Sequence, residues 1–288
     1  MIESPYSSRP NPYFQGHPDR IVVVQEDLLG LNVGYECSEW QYESFASFLF
    51  DWLVEFATSF SDLRQLEPGN IARMVNRAAR MVYDTDKYGK RGEFGELLLH
   101  AILRELFNTQ PAVSKLYYKS AVNDTVKGFD AVHVRRNETG GVELWLGEVK
   151  FYASISRAIK DVCEEIAEHI KAPKMREEFM CVGKHIDSGW EFSPYVNKLF
   201  DRNTSLDEVF KVVCIPVLLT YESSVVQNAK EISDEFLKGL KDEFHDINEK
   251  FKIKVPTGTV KIRLILLPLD SKEKLVYTLN EKLKGWQR

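Results

Sequence analysis

Three acids and one lysine are spaced so that they could share one job. Glu148 and Lys150 stand two residues apart in GVELWLGEVKFY, a run otherwise apolar enough for a protein interior. Strand side chains alternate between faces, so Glu148 and Lys150 share one. Upstream, GFDAVHV puts Asp130, Val132 and Val134 on one face of a second strand, and the Asn and Gly residues of NETGG suit a tight turn between the two. In such a hairpin Asp130 lies nearly opposite Gly147 or Glu148, and the two carboxylates are close cross-strand neighbours. They repel unless a cation sits between them, and hard oxygen ligands suit Mg²⁺ or Mn²⁺. The Lys150 ammonium could reach an attacking water or a scissile phosphate and stabilise developing negative charge. The chemistry implied is metal-dependent cleavage of a phosphodiester. The plainer alternative is a salt-bridged or solvent-edge strand.

A helix adds a third acid. In EFGELLLHAILRELF, Glu93, Glu96 and His100 gather on one side, and Phe94, Leu98, Ala101, Ile102 and Leu106 on the other. An unpaired acid on so apolar a helix is costly. A cation held by Asp130 and Glu148 could be the partner of Glu96. Glu93 is the alternative helix acid, placed at the helix start where it also favours the dipole. His100 is read as a core histidine bonded to a neighbour. His133, on the strand face opposite Asp130, is read as structural.

These residues need a scaffold, and the chain supplies one. Residues 1–19 read as an irregular arm. IVVVQ is a short strand. SEWQYESFASFLFDWLVEFATSF reads as one apolar helix from Trp40 to about Ser59, with Ser38 as N-cap. Its Trp40, Tyr42, Phe45, Phe48, Phe50 and Trp52 belong in a core, wrapped by this chain or covered by another subunit. NIARMVNRAARMVYD is a second helix, with Ile71, Met74, Val75, Ala78 and Val82 on one side and Arg73, Arg77 and Arg80 on the other. Lys87, Lys90 and Arg91 follow. This basic stretch is either a phosphate track, a docking surface for a partner, or a solvated face. From Gly92 the order reads α-β-β-β-α-β-α-β-α, with KLYYKS as the first strand and VFKVVCIPVLLTY and TVKIRLILLPL as central ones. The expected division is a helical N-terminal region over 1–91 and an α/β domain over 92–288, its mixed sheet flanked by helices.

The series Glu96, Asp130, Glu148-Val-Lys150 in this setting resembles the PD-(D/E)XK nuclease superfamily, with Phe129 where the name has proline. The wording of RGEFGELLLHAIL, GFDAVHV and LWLGEVKFY is similar to the HamA family, nuclease subunits of the bacterial Hachiman anti-phage defence system. The resemblance is sharpest from about Arg91 to Ile170. It implies a restriction-endonuclease-like core and a Mg²⁺-dependent DNase that works with a large helicase, HamB. It also implies Asp130 and Glu148 as metal ligands, Lys150 as catalytic lysine and Glu96 as helix acid.

Bulk properties bound the reading. The 288 residues carry a net charge of −5, so attraction to DNA must come from a local basic patch or a partner. No apolar run approaches a membrane span, and the N-terminus lacks the layout of a secretory signal. Cys37, Cys163, Cys181 and Cys214 are widely spaced, which argues against zinc and disulfides and fits a reducing cytoplasm. Two functional classes follow: a metal-dependent endonuclease, or a non-catalytic subunit that keeps a nuclease fold for docking or DNA binding. The second would usually have lost Asp130, Glu148 or Lys150, and all three are present. A sequence-reading restriction enzyme would need a helix-turn-helix or zinc module, and the chain has neither.

Overall fold

The computed structural model describes residues 4–83, 92–114, 128–137, 140–256, 258 and 260–287. The most apolar runs become the middle of a sheet. Among the described residues it has seven strands: β1 (Ile21–Val24), β2 (Leu28–Leu31), β5 (Gln110–Pro111), β6 (Ala131–Arg136), β7 (Val142–Phe151), β8 (Val213–Glu222) and β9 (Lys261–Leu269), in the order β1-β2-β9-β8-β7-β6-β5. β2, β9, β8 and β7 run parallel, and β1, β6 and β5 pair antiparallel at the flanks. β8 is buried at every position but its last, as a strand covered on both faces must be. The fold is thus mixed α/β, as expected. KLYYKS and the centre of the NETGG turn lie outside the described residues.

Helix α5 (Gly92–Phe107) packs on one face of the sheet: a Cβ added to Gly147 would meet Leu99, and one added to Gly95 would meet Phe151 and Val149. Gly95 is therefore required for close helix–strand approach. Helix α6 (Ile155–His169) takes the other face, reached by the even-numbered side chains of β7. Helix α11 (Asp234–Lys254) lies on the α6 side, with Phe244 against Gly30, and α12 (Lys272–Trp286) packs with α1 (Tyr42–Asp51) and α4 (Ile71–Tyr83). Serines start many of these helices. Ser154 caps α6, Ser233 caps α11 and Ser271 caps α12, each accepting a first-turn N–H.

Several expectations are corrected. Ser38 is not an N-cap: Cys37 and Ser38 both have positive φ and form the tight turn of a small hairpin, β3 (Tyr35–Glu36) and β4 (Glu39–Trp40). The aromatic helix is two helices, α1 and α2 (Leu53–Ala57), which meet at Trp52. The expected aromatics are all buried within this chain, Phe45 completely. Ile71 is exposed, so the apolar side of α4 begins only at Met74. The sheet also crosses the expected boundary at residue 91, because β2 pairs with β9. β2 is short and interrupted by Gly30, so local pattern does not announce it. Its partner is more than two hundred residues away. Between β7 and β8, helices α7 (Ala172–Gly183), α8 (Ser193–Phe200) and α9 (Leu206–Phe210) follow α6 where one helix was expected. Among the described residues no helix is long and apolar enough to cross a membrane.

Candidate active site

The β6–β7 ladder brings the sequence motifs together. Ala131 pairs with Gly147, so Asp130 stands one step further on, across from Glu148. Asp130 sits where β6 begins, beside the C-terminal half of β7. Its Oδ2 accepts the Val149 N–H at 2.8 Å, which fixes the carboxylate against the strand. A cleft of about 650 Å³ opens at this end of the sheet, lined by Glu96, Asp130, Lys150, Tyr152, Arg157 and Lys272 among others. Glu96 reaches it from α5. Glu93, a turn earlier, is partly exposed and does not line it.

The electrostatics are those of crowded acids. Burial pushes the Asp130 carboxyl well above the usual carboxylate range, and the nearby Glu148 and Glu96 carboxylates push it further. Glu148 is almost completely buried, at 1% exposure, and Lys150 is buried at 8%. Each has a partner from α6. His169 Nδ1–H donates to Glu148 Oε1 at 2.5 Å, and the Lys150 ammonium donates to Glu165. The bond to Glu148 raises the His169 pKa, against the effect of burial. Burial works to lower the Lys150 pKa. Glu165, and then Asp130 and Glu148, overcome it, so the lysine is held in its charged form. Among the described residues no group of three or more His, Cys, Asp and Glu side chains is arranged to hold a metal ion as it stands. The donor set that fits a hard divalent cation is Asp130 with Glu148, and Glu96 across the cleft. Mg²⁺ commonly takes one or two carboxylates, with waters and phosphate oxygens completing its shell.

Glu165 and His169 were not singled out in the sequence. They lie four apart on α6, beside its buried Ile159, Val162 and Ile166, and that spacing on a helix after Glu-x-Lys was the available signal. Tyr152, Arg157 and Lys272 were missed too, because no local pattern joins α6 to α12.

The structure takes His100 and His133 out of the cleft chemistry. His100 Nδ1 lies 3.3 Å from His133 Nε2, and His133 Nδ1 accepts from or donates to Thr109 Oγ1 at 2.8 Å. His100 Nε2 is 3.2 Å from Glu55, which also pairs with the fully buried Arg104. Both rings sit in the core between α5 and β6, as read. Arg73, Arg77 and Arg80 form an exposed ridge on α4, Arg77 lying 3.6 Å from Asp62. Lys87, Lys90 and Arg91 lie outside the described residues.

Fold and site define a mixed α/β protein with clustered acids and one lysine at the carboxyl end of a central strand, where α/β sheets place their ligands. The chain belongs to the HamA family, whose model matches residues 19–283. It is also similar to the Escherichia coli (strain K12) protein named Anti-bacteriophage protein A, at 21% identity over 266 residues. That match covers 88% of this chain and 47% of the relative, so the chain spans about half the length of the curated protein it matches.

Proposed function

We propose that this chain is a Mg²⁺- or Mn²⁺-dependent DNA endonuclease with a restriction-endonuclease-like (PD-(D/E)XK) core. On this reading it is the effector subunit of a bacterial anti-phage defence complex that acts with a helicase partner such as HamB. The observation that carries the reading is the crowding of Glu148 and Glu96 about Asp130, beside a cleft that Glu96, Asp130 and Lys150 line. Acids forced this close are a cost to a purely structural site and an asset to one that binds a cation. Membership of the HamA family and the name of the bacterial relative support the defence role.

Asp130 and Glu148 would hold the cation, with Glu96 facing it from α5. A bound divalent ion supplies a water of lowered pKa and neutralises charge on phosphate oxygens. Asp130 keeps its orientation through the Val149 N–H, and Glu148 through His169. Lys150 would turn from Glu165 to a non-bridging oxygen of the scissile phosphate, where its ammonium offsets the charge that builds in the transition state.

A second reading, a non-catalytic subunit that docks or binds DNA, is favoured by one observation: Glu148 and Lys150 already have partners within the chain. The test is nicking of supercoiled plasmid with Mg²⁺, by the purified chain alone and beside the helicase. Cleavage that disappears in Glu148→Ala and in Lys150→Ala supports the enzyme. No cleavage by the wild type in either setting supports the docking subunit.

A further inference from the structure

The chemistry above leaves part of the cleft wall unused. Past Lys150 the strand ends, and Tyr152, Ala153 and Ser154 continue the wall before α6 begins. Two cations from different helices face this stretch. Arg157, in the first turn of α6, has its guanidinium carbon 5.2 Å from the Tyr152 ring centroid. Lys272, the first residue of α12, has Nζ 5.2 Å from the Phe151 ring and 6.0 Å from the Tyr152 ring.

Neither charge is committed to a strong internal partner. Arg157 is 73% exposed, and its contact with Asp161 is a 3.5 Å surface pair one helical turn on, of a kind that contributes little. Glu222 accepts the backbone N–H of Lys272 at 2.9 Å, its charge favours the ammonium, and the nearby Arg157 opposes it. Burial presses the Lys272 pKa below its ordinary value, so an anion entering the cleft would restore what the charge has lost in hydration. A chain with net charge −5 thus gathers Lys150, Arg157 and Lys272 around one cleft that Glu96 and Asp130 also line, and local cations attract polyanions despite the global sign.

We propose that Arg157 and Lys272 grip the sugar–phosphate backbone of the nucleic acid beside the scissile phosphate, with the Tyr152 ring setting their spacing. The proposal deepens the nuclease reading and rests on it. The test is the affinity of the full chain for a short labelled DNA duplex in EDTA, where no cleavage occurs, across roughly 50 to 200 mM salt. The double variant Arg157→Gln/Lys272→Gln should bind about tenfold or more weakly at low salt. The slope of log affinity against log salt should shrink by roughly two, one for each lost phosphate contact. The charge-keeping double variant Arg157→Lys/Lys272→Arg should stay within about twofold of wild type. Wild-type affinity and slope in the Gln variant overturn the proposal. So does an equal loss in the charge-keeping variant, or a wild type that does not bind at low salt. Glu148→Ala, run beside them, separates the two readings. If it still cuts DNA the nuclease assignment fails, whereas normal binding by the Gln variant with a cleaving wild type fails the backbone grip alone.

Discussion

His169 Nδ1 lies 2.5 Å from Glu148 Oε1, so the buried acid behind the cleft is held by a helix that follows it in sequence. One turn earlier on the same helix, Glu165 takes Lys150. The acid and the lysine of the Glu-x-Lys pair are thus positioned together by α6.

Glu148→Ala and Lys150→Ala should each lower DNA cleavage by about a hundredfold or more, the scale on which a removed transition-state contact acts. Asp130→Asn should do the same, because a neutral amide is a poorer ligand for a hard cation. Circular dichroism and thermal melting should show an intact fold in all three. Nicking at the wild-type rate by purified Glu148→Ala protein would remove the active-site assignment.

Cleavage should require Mg²⁺ or Mn²⁺ and stop in EDTA, and Ca²⁺ should bind with little turnover because its looser geometry positions water poorly. Binding should also register as stability. Mg²⁺ at about a hundred times its dissociation constant should add about 2.7 kcal/mol to the wild type, and little to Asp130→Asn. Calorimetric melts with and without the ion measure this, and equal shifts in both proteins would speak against metal binding at Asp130.

The His100–His133 pair makes stability depend on pH. Burial holds both rings below the ordinary histidine value, His133 well below it. A depressed folded-state pKa means that the unfolded chain takes up the proton first. The contribution is present above about pH 6.5 and is lost as pH falls toward the folded-state values. The melting temperature should therefore drop between pH 7 and pH 5, and less steeply in His133→Phe. A parallel drop in both proteins would assign the effect elsewhere.

Arg104 has no exposed surface and serves three segments at once. It meets Glu55 on α2, the Thr109 carbonyl at 2.5 Å and the Tyr6 carbonyl at 2.8 Å. Glu55→Ala leaves that guanidinium buried and uncompensated, so it should cost about 3–5 kcal/mol. Urea denaturation measures the loss. A change below about 1 kcal/mol would mean that water reaches Arg104.

Replacing Arg73, Arg77 and Arg80 together with Gln should leave stability within about 0.5 kcal/mol, since all three side chains are exposed. Weaker DNA binding with a flatter salt dependence would identify a phosphate track. Lost co-purification with a helicase at unchanged DNA affinity would identify a docking face, and no change in either a solvated surface.

Short-range pattern carried much of this protein. Strand alternation and a turn between them were enough to place Asp130 opposite Gly147 or Glu148, because the register of a short hairpin is set by local geometry, and the ladder chose Glu148. The apolar helix offered Glu96 with Glu93 as the alternative, and the packing of α5 put Glu96 on the cleft. The long apolar runs of β8 and β9 were legible as covered central strands. The tertiary structure decided what local pattern does not encode. β2 joins β9 across most of the chain, so residues before Gly92 contribute to the sheet. The aromatic run breaks at Trp52, which is buried beside His100. Glu165 and His169 reach Lys150 and Glu148, and Arg157 and Lys272 reach the cleft, only once α6 and α12 are packed around the end of β7. Such contacts depend on which helix covers which face, and a periodicity of 3.6 or 2 residues is silent on that.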